Sequence, residues 1–141
     1  ALMEATENDA RWIFVFGHYH IFSNGFYDNY EKMEKRILPL LLKYNVDVYF
    51  CGHEHNFQIL KHKNLHMIVN GAATFNSFVE AENSNSSVET KFVSSNNGFC
   101  YHKINENKFH TYYINNEGKT EKYYPIEKSE IIMGVQTHQE L

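Results

Sequence analysis

VDVYFCGHEHNF, residues 46–57, is an apolar run that stops on Gly52 and then sets His53 and His55 one residue apart. WIFVFGHYH, residues 12–20, repeats the construction with Gly17 and His18. A short, continuous apolar run bounded by glycine is the pattern of a strand buried on both faces. Between the two runs lies YEKMEKRILPLLLKY, residues 30–44, with Met33, Ile37, Leu40 and Leu41 at helical spacing and charges between them. Pro39 lacks a backbone donor and crowds the preceding turn, so this helix is expected to kink or to begin again there. Strand, helix and strand in that order make a βαβ unit with a right-handed crossover. Ligands of such sheets gather beyond the carboxyl ends of the strands, where both Gly-His turns fall.

Placed side by side by one crossover, the two strand ends bring His18 close to His53. Residues i and i+2 of an extended chain point the same way, so His55 is expected to share the side of His53, with Glu54 turned away toward solvent. The glycine before each histidine is read as letting the backbone turn sharply and leaving room beside the ring. Three converging imidazoles suggest a metal, since neutral imidazole is the commonest nitrogen ligand of zinc, iron, copper and nickel. The alternative is a set of surface or capping histidines, which the repeated construction disfavours.

Farther along, NFQILK and LHMIVN read as a hairpin around HKN, and EAENSNSSVET as a mobile polar loop. GFCYHKI, KFHTYYI and KTEKYYPI read as three antiparallel strands of a meander. The chain is thus one domain's worth at most over 1–141: a βαβ and hairpin region at 12–78, a loop at 79–90, a meander at 91–125 and a tail at 126–141. His62, His66, His102, His110 and His138 have no partner at ligand spacing and are assigned to surface or packing.

Composition narrows the partners. With 141 residues, 43% hydrophobic and 16% aromatic, the chain can bury a core. A net charge of −4 with no basic stripe argues against nucleic acid. No run approaches the roughly 20 apolar residues of a membrane span. Cys51 and Cys100 read as small buried hydrophobes, too few for a disulfide framework. Asn85-Ser86-Ser87 is an acceptor sequon for N-linked sugar, which points to a secretory, lysosome-like or vacuole-like compartment. An opening at ALMEATENDA, without methionine, is expected of a chain processed or cut from a longer one.

WIFVFGHYHIFSNG, ILPLLLKYNVDVYFCGHEHNFQ, VNGAATFN and GFCYHKI with TYYINNEGK, in this order, resemble the C-terminal half of a purple acid phosphatase. The likeness is to the tartrate-resistant (type 5) acid phosphatases of the calcineurin-like metallophosphoesterase superfamily. It implies an α/β fold, the C-terminal half of a four-layer αββα sandwich. It also implies a dinuclear centre, Fe(III) with Fe(II), Zn or Mn, that hydrolyses phosphate monoesters through a metal-bound hydroxide. Carried onto this chain, His18 and His53 belong to the divalent metal and His55 to the iron(III). Tyr19 and Asn56, with NGAATFN, would line or support the site.

The same resemblance implies what the chain lacks. The metal-binding aspartates, the bridging carboxylate, the iron-bound tyrosine and an Asn-His pair come from the N-terminal half of such enzymes. That half is therefore the expected partner, and activity is expected only in combination with it. His20 stands where the family usually has proline, and is read as a replaced turn residue or an additional supporting donor. Tyr27 stands where type 5 enzymes often have a histidine that helps protonate the leaving group. A phenol with a pKa of about 10 is a poor acid at low pH, so slower turnover of poor leaving groups is expected. The other readings are a catalytically silent scaffold or anchoring protein of the same fold, and a related phosphodiesterase or nucleotidase.

Overall fold

The computed structural model describes residues 1–73 and 75–128. Two short helices follow one another where a helix kinked at Pro39 or beginning again there was expected, α2 (Glu31–Arg36) and α3 (Leu38–Lys43), after an N-terminal α1 (Leu2–Glu7). The break falls at Ile37, and Pro39 sits in the first turn of α3, where its missing N–H has no helical acceptor to lose.

Eight strands form two sheets. The first, in the order β1-β2-β4-β3-β5, holds β1 (Phe14–Phe16), β2 (Val48–Cys51), β3 (Phe57–His62), β4 (Leu65–Asn70) and β5 (Glu89–Ser94). β1 and β2 are parallel neighbours with Phe14 opposite Val48, so the βαβ unit is present. β3 and β4 form the expected hairpin. β5, which pairs with β3, begins inside the stretch read as loop, because Glu89 and Thr90 already lie opposite Lys61 and Leu60. The loop before it is anchored: Asn83 donates to the Ser23 carbonyl (2.8 Å) and Val79 bridges Gly25. The second sheet is the meander β6 (Gly98–Ile104), β7 (Lys108–Asn115) and β8 (Thr120–Glu127). β8 runs past the boundary drawn at 126, and the rest of the tail, including His138, lies outside the described residues.

Period-two alternation distributes the core. One face of the first sheet buries Tyr49, Cys51, Leu65, Met67 and Val69 under Leu38 and Leu41 of α3. The other face puts Val48 and Ile68 against Phe109 of β7, with Trp12, Phe14 and Ile126 around them. Helices, sheet and sheet are therefore stacked in that order, a mixed α/β architecture of two sheets. β1 departs from the expected strand buried on both faces. In this chain it lies at the edge of the sheet, and Phe16 at its end is 74% exposed and stacked on Phe50. Among the described residues no helix is long and apolar enough to cross a membrane.

Candidate active site

The strand ladder continues past β1 and β2 and aligns the two Gly-His turns. Gly17 N–H donates to the Phe50 carbonyl (2.9 Å), and Gly52 N–H to the His18 carbonyl (3.0 Å). His18 Nε2 and His53 Nδ1 then face each other at 3.4 Å, with their rings near perpendicular.

The glycines act differently from the sequence reading. Neither Gly17 nor Gly52 has a positive φ. A Cβ on Gly17 would lie 2.1 Å from the Tyr49 hydroxyl, so the room there serves Tyr49, whose O–H donates to the Tyr19 carbonyl (2.7 Å). Burial pushes that phenol up to about 12. The left-handed residue is His53 itself, at φ 63°. Glu54 N–H donates to the Gly52 carbonyl (2.8 Å), the i to i+2 bond of a γ-turn.

That turn overturns the alternation argument. Extended structure ends at Cys51, and a positive φ at His53 reverses which way the next side chains point. Glu54, expected in solvent, is fully buried. His55, expected beside His53, is exposed, with its ring 6.0 Å from that of Phe75. Among the described residues no three His, Cys, Asp or Glu side chains converge to hold an ion.

Around His53 the loop 19–30 builds an aromatic wall. The rings of Tyr19 and Tyr27 each lie 4.7 Å from that of His53, and His20 stacks at 5.8 Å. With Tyr30 they line a cavity of about 240 Å³. His20 is buried, its Nε2–H donating to the Asp28 carbonyl (2.8 Å). Burial holds its imidazole below the usual pKa, against the opposing pull of that hydrogen bond. Asn56 is buried too, but within a polar network, accepting from Gln58 Nε2 at Oδ1 (2.8 Å). Sequence reasoning missed Glu54, Ser23 and Gln58, whose contacts span up to 35 residues and leave no local pattern. A larger cavity of about 390 Å³ lies at the amino ends of β1 and β2, between Arg11, Asp47 and Lys128, away from these histidines.

Residues 2–57 match the family of calcineurin-like phosphoesterases. The tartrate-resistant acid phosphatase type 5 of Sus scrofa is 30% identical over 115 residues, 77% of this chain and 34% of that protein. The chain is a homologue of the tartrate-resistant acid phosphatases, and its residues 2–57 match the calcineurin-like phosphoesterases. It spans about a third of the length of that relative, and the partial coverage fits the C-terminal half of a purple acid phosphatase. GAP50, the anchor in the inner membrane complex of Plasmodium, superposes with a TM-score of 0.82 at 25% identity, over 92% of this chain and 40% of that one. A purple acid phosphatase from seeds of yellow lupin, Lupinus luteus, superposes at 0.72 and 16% identity, over 92% of this chain and 27% of that one, and shares the fold.

Calcineurin-like phosphoesterases of the purple acid phosphatase kind imply a dinuclear metal centre. Two nitrogens each about 2.0–2.1 Å from one tetrahedral cation stand about 3.3–3.4 Å apart. The His18–His53 separation of 3.4 Å fits one such cation. Among the described residues no group of three ligating side chains forms a second site.

Proposed function

We propose that this chain supplies the histidine side of a metal-dependent acid phosphatase acting on phosphate monoesters. The observation that carries the reading is the pairing of His18 Nε2 with His53 Nδ1 at the carboxyl ends of two adjacent parallel strands. His18 and His53 would hold the divalent metal, and His55 would serve the second, iron(III) site. The carboxylates that two hard cations require would come from an N-terminal half of the same protein. A bound pair of metals supplies charge neutralisation of the phosphate dianion and a hydroxide at low pH. This chain's own residues hold the imidazoles in place: the Gly52–His18 bond aligns the turns, and Tyr19 and Tyr27 cover one flank of His53.

Tyr27 would touch the leaving group from that flank. As a weak acid it would favour good leaving groups, and Tyr27→His is expected to raise the rate on alkyl phosphates. An unchanged rate would remove this role. The Asn85 sequon is consistent with a secretory route, which a mass shift on glycosidase treatment would reveal.

A second reading, a phosphatase-like anchoring scaffold, draws on the TM-score of 0.82 with the Plasmodium anchor and on the lack, among the described residues, of three converging ligating side chains. Metal analysis of the full protein, with hydrolysis of p-nitrophenyl phosphate at acid pH, separates the two. Two metals per chain and chelator-sensitive turnover support the enzyme; metal-free, inactive protein favours the scaffold.

A further inference from the structure

Glu54 lies between two histidines that the sequence singles out, yet does not face solvent. Its carboxylate is fully buried. Oε1 accepts two hydrogen bonds from the opposite loop, from Ser23 Oγ–H (2.7 Å) and from the Tyr27 backbone N–H (2.8 Å). Ser23 Oγ in turn accepts from Gly25 N–H (2.8 Å) and Gln58 Nε2–H (3.0 Å). Gly25 has no side chain because the carboxylate occupies that space: a Cβ would stand 2.4 Å from Glu54 Oε2. Three segments thus meet on one buried group. The Tyr27 ring, outside this network and 53% exposed, ends 4.7 Å from the ring of His53.

We propose that Glu54 is a positioning residue: by holding the Tyr27 backbone from below, it fixes that phenol against His53 and so shapes one wall of the reaction site. The turn at His53 makes this possible. With φ positive at residue 53, the next side chain is delivered inward, under the loop that carries Tyr27. What Oε1 supplies is an acceptor at a set reach, so the role belongs to geometry and is separate from the carboxylate's charge. The catalytic consequence rests on the phosphatase reading above, whereas the placement of Tyr27 does not.

The test uses the full protein labelled with ¹³C at histidine. A Tyr27 ring held over His53 shields the His53 Cε1–H, and Tyr27→Leu removes that shielding, which assigns the signal. Glu54→Gln keeps an acceptor at the same reach and is expected to keep the upfield shift. Glu54→Asp, one methylene shorter, and Glu54→Leu are expected to lose it. Turnover of p-nitrophenyl phosphate should follow the same order, with a loss of roughly 10- to 100-fold in kcat for the Asp variant. The Tyr27→Leu and Glu54→Asp losses should be non-additive when combined, as for residues that act through one another. A shift retained in Glu54→Asp, or lost in Glu54→Gln but kept in Glu54→Asp, overturns the proposal. If the shifts follow the expected order in a protein without phosphatase activity, the positioning stands and the phosphatase reading fails. Should Glu54→Leu not fold, the Gln and Asp pair alone decides the outcome.

Discussion

His53 takes a left-handed backbone conformation, φ 63°, and in that conformation its Nδ1 stands 3.4 Å from Nε2 of His18. A residue with a Cβ costs roughly 1–2 kcal/mol in this region, and asparagine and glycine tolerate it better. The strain is held by the Gly52 to His18 and Glu54 to Gly52 backbone bonds on either side. His53→Asn or His53→Gly is therefore expected to match or exceed the parent in stability by urea denaturation, and His53→Val to fall below it. A Val variant as stable as the Asn variant would show that the turn is unstrained.

The same pair leads to a binding prediction. His18→Ala and His53→Ala should each weaken the first divalent cation in calorimetric titration with zinc, by more than the roughly 10- to 100-fold typical of losing a supporting residue. His55→Ala, whose ring lies apart against Phe75, should leave that affinity in place and reduce only the second metal equivalent. Equal effects of all three substitutions would contradict two separate sites.

Two glycines at this edge of the sheet should respond oppositely to alanine. A methyl on Gly71 would stand 1.9 Å from the carbonyl oxygen of Glu54, a backbone atom that cannot swing aside. Gly71→Ala should cost about 1–3 kcal/mol, the usual range for overpacking. Gly52 faces open space and has no positive φ, so Gly52→Ala should stay within about 0.5 kcal/mol of the parent. Thermal denaturation of the two variants side by side decides it.

Acid sensitivity should arise in part at His66. Desolvation, with Lys61 and Lys91 nearby, lowers its pKa from 6.5 to about 4. Folding keeps this imidazole neutral, so between about pH 6.5 and 4 the unfolded chain binds more protons and stability falls as the pH falls. Above pH 6.5 both states are neutral and the effect vanishes. His66→Gln should flatten the stability profile in that window while altering it little at pH 7.5, measured by denaturation at a series of pH values.

The residues 98–127 show how far local pattern carries. Alternation along GFCYHKI, KFHTYYI and KTEKYYPI, with Asn- and Gly-rich turns between, leaves each strand one face for the core, and the meander forms as read. The crossover between WIFVF and VDVYFC is legible for the same reason: two short apolar runs separated by one helical repeat have few other arrangements. β5 is less legible, because ETKFVS is a half-buried edge strand whose pairing with β3 depends on neighbours 30 residues away.

Sequence alone determined the crossover, the hairpin, the meander and the meeting of His18 with His53, since apolar periodicity and chain order leave those elements little freedom. The directions of Glu54 and His55 were decided only by tertiary structure. One backbone torsion at His53 inverts the alternation that follows it. That torsion is maintained by bonds to His18, Ser23 and Tyr27, residues distant in the chain and adjacent only after folding.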